Sequence, residues 1–387
     1  MSIVESGDET SSANADVSDL GRTPERRSVI RTVLIGCVLA LLIPLVWSYT
    51  SSLTGSGTDG VAARSVEWLR FHGMSRLVVE AERLWYSHHP PPRGGKPKGG
   101  IPRADTPQAP SAPAPVASIA GPPLPGEGIW HAVGRRAQGK PILYVTTIRP
   151  DPVHTSLLTG IARIDTSLSR TVMYAGTQVP GGMWRDMAPI PLATRASLVA
   201  AFNSGFRLQE SQGGYYQQGQ MVRPMVDGQA TLVIHPDGSA TIAKWGRDAR
   251  MGPGVTEARQ NLDLIVDGGK PAPALDENWN GRWGYTLGND IYVWRSGLGV
   301  TADGALLYAV GPGLTARTLA NVLVAAGAVR AMELDINPEW TDFFWYDSPD
   351  EAHPQIVTST KLIDGIHQPP DRYFYESRKD FIAVFTR

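Results

Sequence analysis

The sequence predicts an α+β protein: a mixed, mainly antiparallel β-sheet with helices packed on it, preceded by a single transmembrane helix and a proline-rich linker. Three observations support this prediction. Residues 126–387 contain many short apolar segments separated by Asp-Gly and Gly-Gly turns, with one strong helix pattern among them. Residues 32–49 form an uncharged apolar run, and 12 of the 31 prolines fall between positions 90 and 125. No internal repeat is visible.

The overall composition is that of an ordinary globular protein. The chain has 387 residues, a length that suits two domains or one large domain with appendages. The formal net charge of −1 provides no bulk field that would attract nucleic acid, so nucleic-acid binding is not expected. The single cysteine, Cys37, excludes an intrachain disulfide, and an exported domain would therefore depend on its own core for stability.

The N-terminal segment carries the signals of a membrane anchor. Residues 1–31 are polar, and we expect a disordered cytoplasmic tail that ends in several arginines. The run 32–49 is long enough to cross a bilayer as a helix. The preceding arginines place the N-terminus in the cytoplasm, and Trp47 and Tyr49 suit the opposite interface. A cleaved signal peptide or a buried soluble helix are the alternatives, and the first of these also places the rest of the chain outside the cytoplasm.

Three segments connect the span to the main domain. Residues 50–60 are a Gly/Ser/Thr spacer, residues 61–89 are predicted to form an amphipathic helix, and residues 90–125 are a semi-extended Pro/Ala/Gly-rich linker. The predicted apolar stripe of the helix consists of Val66, Leu69, Leu77, Leu84 and Trp85. This helix either packs on the main domain or the membrane surface, or it docks a partner. The linker would hold the main domain away from the bilayer.

Residues 126–387 are long enough to build a sizeable core in one domain. Strands are predicted at 141–148, 197–203, 230–235, 240–245, 261–267, 291–301, 305–310, 329–334, 343–346, 373–375 and 381–385. Asp-Gly turns at 237–238 and 303–304 join two of these pairs as β-hairpins. The strongest helix signal covers 315–326, where Thr315 is the N-cap and Gly327 ends the helix.

A polar segment follows the predicted buried strand 197–203. It contains Asn203, Ser204, Gly205 and Phe206. An amide at the end of a strand can orient a sugar hydroxyl or a phosphate oxygen, and Gly205 lets a ligand approach the backbone. An ordinary Asn-Ser-Gly turn is the alternative interpretation.

A second polar cluster lies on the predicted strand 291–301. Arg295 stands next to Ser296 and Gly297, and a guanidinium beside small residues can bind a phosphate with two hydrogen bonds. An ion pair between Arg295 and a structural carboxylate would explain the same residue.

Two carboxylates lie at the end of the predicted strand 329–334. Glu333 and Asp335 are separated by one residue, so their side chains point to the same face of a strand. Paired carboxylates suit glycosidic cleavage, because one can protonate the leaving group while the other stabilises or attacks the anomeric carbon. They equally suit a divalent cation or a solvated strand end. The histidines of the domain lack the spacing of a zinc site, so no other cofactor is indicated.

In their order along the chain, these segments resemble the phosphodiester glycosidase family. The matching elements are residues 203–206, 295–299, 303–304, 313–315 and 334–335, within the segment 141–335. The resemblance implies a hydrolase that cleaves a sugar-1-phosphodiester and leaves a phosphomonoester; the sugar is N-acetylglucosamine in the best-known member. The candidate catalytic residues are Asn203, Arg295, Glu333 and Asp335, and the candidate substrate-binding residues include Ser204, Gly205, Ser296 and Gly297.

One part of the chain differs from the family pattern. After Asp335 the family has glycines and a serine, whereas residues 336–342 here are Ile-Asn-Pro-Glu-Trp-Thr-Asp. This bulky acidic turn implies either a different substrate or a loss of activity. For a different substrate, Trp340 would be a stacking platform for a sugar, and Asn337, Glu339 and Asp342 would be further contacts, although ordinary turn chemistry also explains these residue types.

Three functions follow from these observations. The first is a membrane-anchored extracytoplasmic glycosidase that acts on sugar phosphodiesters of a cell-surface glycan or a lipid-linked sugar. The second is a catalytically inactive glycan- or phosphate-binding protein of the cell envelope. The third is a structural envelope protein whose helix 61–89 carries the interaction. The first two imply a carbohydrate or sugar-phosphate partner, and a divalent cation is the one cofactor that the carboxylates would suit.

Overall fold

A computed structural model describes residues 24–55, 57–102, 111–277, 282–284, 292–350 and 352–387. The chain forms two compact units, Met1–Gly55 and Ser56–Arg387. Most of the predicted cytoplasmic tail (residues 1–23) and the middle of the predicted linker (residues 103–110) lie outside the described residues.

The described part of the first unit is one long helix, α1 (Pro24–Thr54). Within it, Ser28–Thr54 is long and apolar enough to cross a membrane, and its apolar window is not buried inside the protein. The hydroxyl of Thr50 donates to the carbonyl of Val46 at 2.9 Å, which partly satisfies a polar group in an apolar helix. An apolar helix near the N-terminus is therefore present, and it fits either a signal sequence or an anchor.

The second unit begins with two helices, α2 (Val61–Phe71) and α3 (Ser75–His88), which we call the N-terminal hairpin. The prediction of one helix over 61–89 is wrong in this respect. Gly73 adopts a left-handed conformation with φ +79°, and its N–H donates to the carbonyl of Arg70 at 3.2 Å, which ends α2. Leu84 and Trp85, predicted on an apolar stripe, are more than 60% exposed (61% and 63%).

The described parts of the proline-rich segment lie along the surface of the main domain. The N–H of Val116 donates to the carbonyl of Gly128 at 2.9 Å, and the indole of Trp130 donates to the carbonyl of Ala114 at 3.0 Å. Val116 is also buried in a core cluster with Trp130. The composition predicts a semi-extended spacer here. This part of the segment instead packs its apolar side chains on the main domain.

The described residues of the main domain form eighteen β-strands. These are β1 (His131–Ala137), β2 (Lys140–Ile148), β3 (Thr159–Ile164), β4 (Ser169–Tyr174), β5 (Leu198–Asn203), β6 (Tyr215–Gln217), β7 (Gln220–Arg223), β8 (Ala230–Ile234), β9 (Ala240–Lys244), β10 (Glu257–Gln260), β11 (Leu264–Asp267), β12 (Lys270–Pro271), β13 (Val293–Thr301), β14 (Leu306–Leu314), β15 (Ala328–Asp335), β16 (Phe343–Asp347), β17 (Thr358–Lys361) and β18 (Phe381–Thr386). The helices are α4 (Leu208–Ser211) and α5 (Ala316–Ala325), with short 3₁₀ turns at Leu192–Ser197 and Arg372–Phe374.

The strands build three sheets. The largest has the order β1-β2-β3-β14-β13-β15-β11-β12, the second β7-β6-β10-β8-β9, and the third β17-β16-β5-β18-β4. Neighbouring strands are antiparallel throughout the described sheets, and parallel pairing is confined to isolated bridges. This confirms the predicted fold class.

Two faces of the large sheet are covered by different elements. On one face, Leu298 and Met332 share a core cluster with Phe202 and Phe343 of the third sheet. On the other face, α5 packs through side chains that include Leu319. The helix begins as predicted, because Thr315 and Thr318 form a reciprocal capping box.

Most of the predicted strands are present, with shifted ends. The prediction is wrong for residues 373–375, which belong to the 3₁₀ turn Arg372–Phe374 and the residue after it. The N–H of Arg372 donates to the carbonyl of Pro369 at 3.1 Å, and the N–H of Phe374 to the carbonyl of Asp371 at 2.8 Å. Tyr373 is buried in this turn without forming a strand, so its β propensity is overridden by packing.

A buried glutamate makes the stability of the second sheet depend on pH. Burial raises the pKa of Glu257, on β10, from 4.5 to about 7, and its carboxylate accepts the N–H of Met173 at 2.8 Å. The folded state therefore binds this proton more tightly than the unfolded state does. The stability that Glu257 contributes is complete below about pH 4.5 and is lost as the pH rises through about 7.

We therefore expect a Glu257→Gln variant to equal the wild type in stability near pH 4.5 and to exceed it near pH 8 by up to about 3 kcal/mol. Glutamine keeps an acceptor for Met173 but does not ionise. Thermal unfolding at both pH values measures the difference. A variant at the exposed residue Glu277, Glu277→Gln, serves as control and should show no such trend. A Glu257→Gln effect that is constant with pH would contradict the raised pKa.

Candidate functional site

Three strands from two sheets bring predicted site residues together. Asn203 ends β5 of the third sheet, whereas Ser296 lies on β13 and Asp335 ends β15 of the large sheet. The amide of Asn203 donates to the hydroxyl of Ser296 at 3.1 Å. Ser296 is paired with Asp335 in the β-ladder, and the N–H of Asp335 donates to the Ser296 hydroxyl at 3.3 Å. All three residues are buried.

A tyrosine on β14 fixes the other side of Asn203. The hydroxyl of Tyr308 lies 2.7 Å from Oδ1 of Asn203 and 2.8 Å from the carbonyl oxygen of Asp342. The Asn203 amide therefore has a defined orientation, with its oxygen toward Tyr308 and its nitrogen toward Ser296. In the sequence Tyr308 has no signal beyond its place in a predicted strand.

The segment after Asn203 is held by a second asparagine. The side chain of Asn261 donates to the carbonyl of Ser204 at 3.0 Å and accepts the N–H of Phe206 at 3.1 Å. Gly205 has φ +143°, and a Cβ there would lie 2.1 Å from Oδ1 of Asn261. The hydroxyl of Ser204 donates to the carbonyl of Asp380 at 2.8 Å. Both Ser204 and Gly205 thus have structural reasons to be present, independent of any ligand.

Arg295 and Glu333 form a buried ion pair with each other. Further donors of Arg295 bind the carbonyls of Leu314 at 2.8 Å and Trp283 at 3.1 Å. Burial raises the pKa of Glu333, Arg295 opposes this, and the charge of Asp335 adds to it. Arg295 thus forms an ion pair with a structural carboxylate, which is the alternative to phosphate binding given in the sequence analysis.

Gly297, predicted to leave room for a ligand, faces α5. A Cβ at Gly297 would approach Leu319 and Leu323 to 3.1 Å, so the missing side chain lets the helix pack closely on β13. This position lies under a helix rather than beside Asn203.

The carboxylate of Asp335 has partners on both oxygens. Its Oδ2 forms a buried ion pair with Nζ of Lys379. Its Oδ1 accepts the backbone N–H groups of Ile336 at 2.8 Å and of Asn337 at 3.0 Å. These donors fix the orientation of the carboxylate. Lys379 has no local signal in the sequence, since it stands between two other charged residues at the start of the last strand.

The bulky turn after Asp335 is half-buried at residues 336–339 and buried at residues 340–342. Trp340 is only 4% exposed, and its ring lies between the guanidinium of Arg372, 4.2 Å from the ring centroid, and Nζ of Lys379, 5.1 Å away. Cations thus contact the ring that was predicted to stack on a sugar. The side chain of Asn337 accepts the N–H of Glu339 at 2.9 Å, which is a turn contact.

Asp342, in the same turn, belongs to a buried polar network. Its carboxylate pairs with Arg372 at 2.9 Å and accepts the hydroxyl of Tyr373. Burial raises the pKa of Asp342 to about 6 despite the opposing charge of Arg372. Glu339 is paired with His367 at 3.0 Å, which lowers the pKa of Glu339. These contacts stabilise the turn.

The N-terminal hairpin lies next to this site. Glu67 of α2 forms an ion pair with Arg207, which directly follows Phe206. Burial raises the pKa of Glu82, on α3, and the charge of Asp335 adds to this effect, so α3 is within electrostatic reach of Asp335. The hairpin therefore adds acidic groups to the surroundings of the site.

The site holds the carboxylate of Asp335 in a fixed position, in the same cluster as the amide of Asn203 and the hydroxyl of Ser296. Within the described ranges, no group of three or more His, Cys, Asp and Glu side chains is arranged to hold a metal ion. Glu333 and Asp335 instead bind Arg295 and Lys379, two cations supplied by the protein.

The segment that contains these residues matches a known family. Residues 193–335 match the family model described as phosphodiester glycosidase. This range includes Asn203, Arg295, Glu333 and Asp335, whereas Lys379 and the N-terminal hairpin lie outside it. No curated protein matches the chain in sequence.

Two solved structures are among those with similar chains. One is the catalytic domain of zebrafish N-acetylglucosamine-1-phosphodiester alpha-N-acetylglucosaminidase, auto-inhibited by its pro-peptide: 15% identical, covering 67% of this chain and 87% of that one, TM-score 0.42. The other is a hypothetical protein from Synechocystis: 12% identical, covering 65% and 63%, TM-score 0.39. The matched segment 193–335 contains both strand ends of the site, so the similarity to the phosphodiester glycosidase family covers this part of the chain.

Proposed function

We propose that this protein hydrolyses sugar-1-phosphodiesters, of the N-acetylglucosamine type, in a cell-surface glycan or a lipid-linked sugar. The observation that carries this proposal is the carboxylate of Asp335. Asp335 ends β15 inside the family-matched segment, and its carboxylate is oriented by Lys379 and two backbone N–H groups. The backbone N–H of Asp335 binds Ser296, which in turn accepts the amide of Asn203.

In this proposal Asp335 acts on the anomeric carbon of the sugar. Water adds across the bond between this carbon and the phosphate oxygen, so the sugar gains a hydroxyl and a phosphomonoester leaves with the proton. Ser296 binds the backbone of Asp335, Asn203 binds Ser296, and Lys379 keeps the carboxylate of Asp335 in position.

We assign Arg295 and Glu333 a positioning role beneath Asp335. Both are buried, they bind each other, and Arg295 spends further donors on backbone carbonyls. Burial raises the pKa of Glu333, its ion pair with Arg295 opposes this rise, and the charge of Asp335 adds to it.

We further propose that α1 is a single-pass anchor, with the N-terminus in the cytoplasm and the main domain outside it. The helix has the length and apolar character of a span, and arginines precede its apolar run. A substrate within a cell-surface glycan or on a lipid carrier would then lie on the same side of the membrane as Asp335.

A catalytically inactive glycan- or phosphate-binding protein is the second candidate. The observation that favours it is the turn after Asp335, where the family has glycines and this chain has a buried Trp340 between two cations. The candidate side chains are also nearly inaccessible: Asn203 is 3% and Asp335 4% exposed. A substrate would need a covering element to move before reaching them.

The full-length protein in lipid nanodiscs decides between the two candidates. It is incubated with a panel of sugar-1-phosphodiesters, including N-acetylglucosamine-α-1-phospho-methyl, with and without divalent cations. Free reducing sugar and phosphomonoester are then quantified. Equal amounts of both products support the hydrolase. Binding of the panel without product, kept in Asp335→Asn, supports the binding protein instead.

A further inference from the structure

Arg207 lies near the site, and none of the roles proposed above involves it. It follows Asn203 by four positions, at the start of α4, and the charge of Asp335 acts on its guanidinium. Burial lowers the pKa of Arg207, while the charges of Glu210 and Asp335 oppose this shift. The charge of Arg378 also acts on Arg207 and contributes to lowering the pKa of Arg207.

The acidic partner of Arg207 comes from a different part of the chain. The Arg207 guanidinium forms an ion pair with Glu67 of the N-terminal hairpin. The side chain of Glu67 is 4% exposed and that of Arg207 16%. The arginine thus belongs to the family-matched segment 193–335, and the carboxylate that neutralises it does not.

Other contacts between the N-terminal segment and the main domain are also polar. Arg70 of α2 lies 3.7 Å from Glu210, and Asp59 lies 3.6 Å from Arg372 and accepts from the amide of Gln368 at 3.3 Å. Of these pairs, Arg70–Glu210 is partly exposed and contributes little to stability, because water solvates the separated charges well. The Glu67–Arg207 pair is itself buried, so Glu67 leaves only together with the hairpin that carries it, and only when an anion takes its place at Arg207.

Arg295 is much less available to an anion than Arg207. The donors of Arg295 go to Glu333 and to the carbonyls of Leu314 and Trp283, all within the main domain. Releasing Arg295 would leave Glu333 as an unpaired buried charge, which is costly. For a phosphate, the guanidinium that faces a displaceable carboxylate is the better partner.

We propose that Arg207 forms the subsite for the phosphate of the substrate, and that the carboxylate of Glu67 occupies this subsite when no phosphate is bound. A guanidinium fork binds a phosphate with two parallel hydrogen bonds, as it binds a carboxylate, so one group can replace the other. The identity of the substrate as a phosphodiester rests on the proposed function, whereas the binding of a phosphate group to Arg207 does not.

Phosphate binding by the full-length protein in nanodiscs tests the subsite. Isothermal titration with inorganic phosphate is expected to show about ten- to hundredfold weaker binding for Arg207→Gln, because a charge-assisted pair is lost. Glu67→Gln is expected to bind phosphate about tenfold more tightly, because the competing charge is gone. Glu80→Gln, at an exposed glutamate of α3, is the matched control and should bind like the wild type.

The Glu67→Gln arm remains informative if Arg207→Gln does not fold. Phosphate affinity that is unchanged in Glu67→Gln, or unchanged in a folded Arg207→Gln variant, overturns the subsite. Phosphodiester hydrolysis measured in parallel separates the two proposals. Phosphate binding that depends on Arg207 without hydrolysis supports the subsite and removes the hydrolase. Hydrolysis with the same KM in Arg207→Gln and the wild type overturns the subsite and leaves the hydrolase in place.

Discussion

An Asp335→Asn variant is expected to lose turnover of a sugar-1-phosphodiester by about 10²- to 10⁴-fold, the range typical for removal of a positioned acid–base group. Asparagine has the same shape, and its carbonyl oxygen can still accept the N–H groups of Ile336 and Asn337. The negative charge is lost, and with it the group that stabilises or attacks the anomeric carbon.

The same substitution leaves the ammonium of Lys379 buried without its partner. We therefore expect a lower melting temperature for Asp335→Asn, and a partial recovery in the double variant Asp335→Asn/Lys379→Met, because the unpaired charge is removed. Turnover should stay low in both variants. Turnover within tenfold of the wild type in a folded Asp335→Asn variant would contradict the assigned role of Asp335.

An Arg259→Met variant is expected to destabilise the main domain by about 3–5 kcal/mol, the cost typical of breaking a buried ion pair. Arg259 on β10 binds Asp380 at 2.8 Å, and both side chains are fully buried. A further nitrogen of Arg259 donates to the carbonyl of Gln260 at 2.6 Å, and another to the carbonyl of Phe206. Methionine fills much of the volume but leaves the Asp380 charge unpaired.

Thermal unfolding of the full-length protein measures this effect. Arg247→Met is the matched control, because Arg247 pairs with Asp248 and Asp267 at a position where its side chain is 48% exposed. Such a pair is typically worth about 1 kcal/mol or less. The double variant Arg259→Met/Asp380→Leu should recover part of the loss. Equal destabilisation by Arg259→Met and Arg247→Met would show that burial does not determine how much the Arg259–Asp380 pair contributes to stability.

The sequence was sufficient to predict those elements that short local motifs determine, such as turns and helix caps. The Asp-Gly turn at 303–304 joins β13 to β14, and the Thr315 cap begins α5, as predicted. The predicted helix 61–89 runs through Gly73, because a glycine does not by itself end a helical pattern. Its left-handed conformation depends on how α3 folds back beside α2, which no short window of sequence contains.

The candidate site was predictable only in part, for a related reason. Asn203 and Asp335 stood out because each ends a buried strand, and the structure brings both of them to Ser296. Lys379 and Glu67, in contrast, reach the site from segments far along the chain. The role of Arg295 also depended on geometry, because its partner Glu333 lies on a strand whose register the sequence does not specify.

The position of β18 determines when this site can form during synthesis. This strand lies between β5 and β4 in the third sheet, and Phe381 is paired there with Asn203. The ribosome makes β4 and β5 before residues 381–386. Until β18 is made, the edges of β4 and β5 that will pair with it stay unpaired, and their apolar side chains lack this neighbour. The centre of the sheet, with Asn203 at the end of β5, can therefore assemble only after residues 381–386 have been made. During that interval the unpaired strand edges and apolar side chains are sites at which aggregation is favoured.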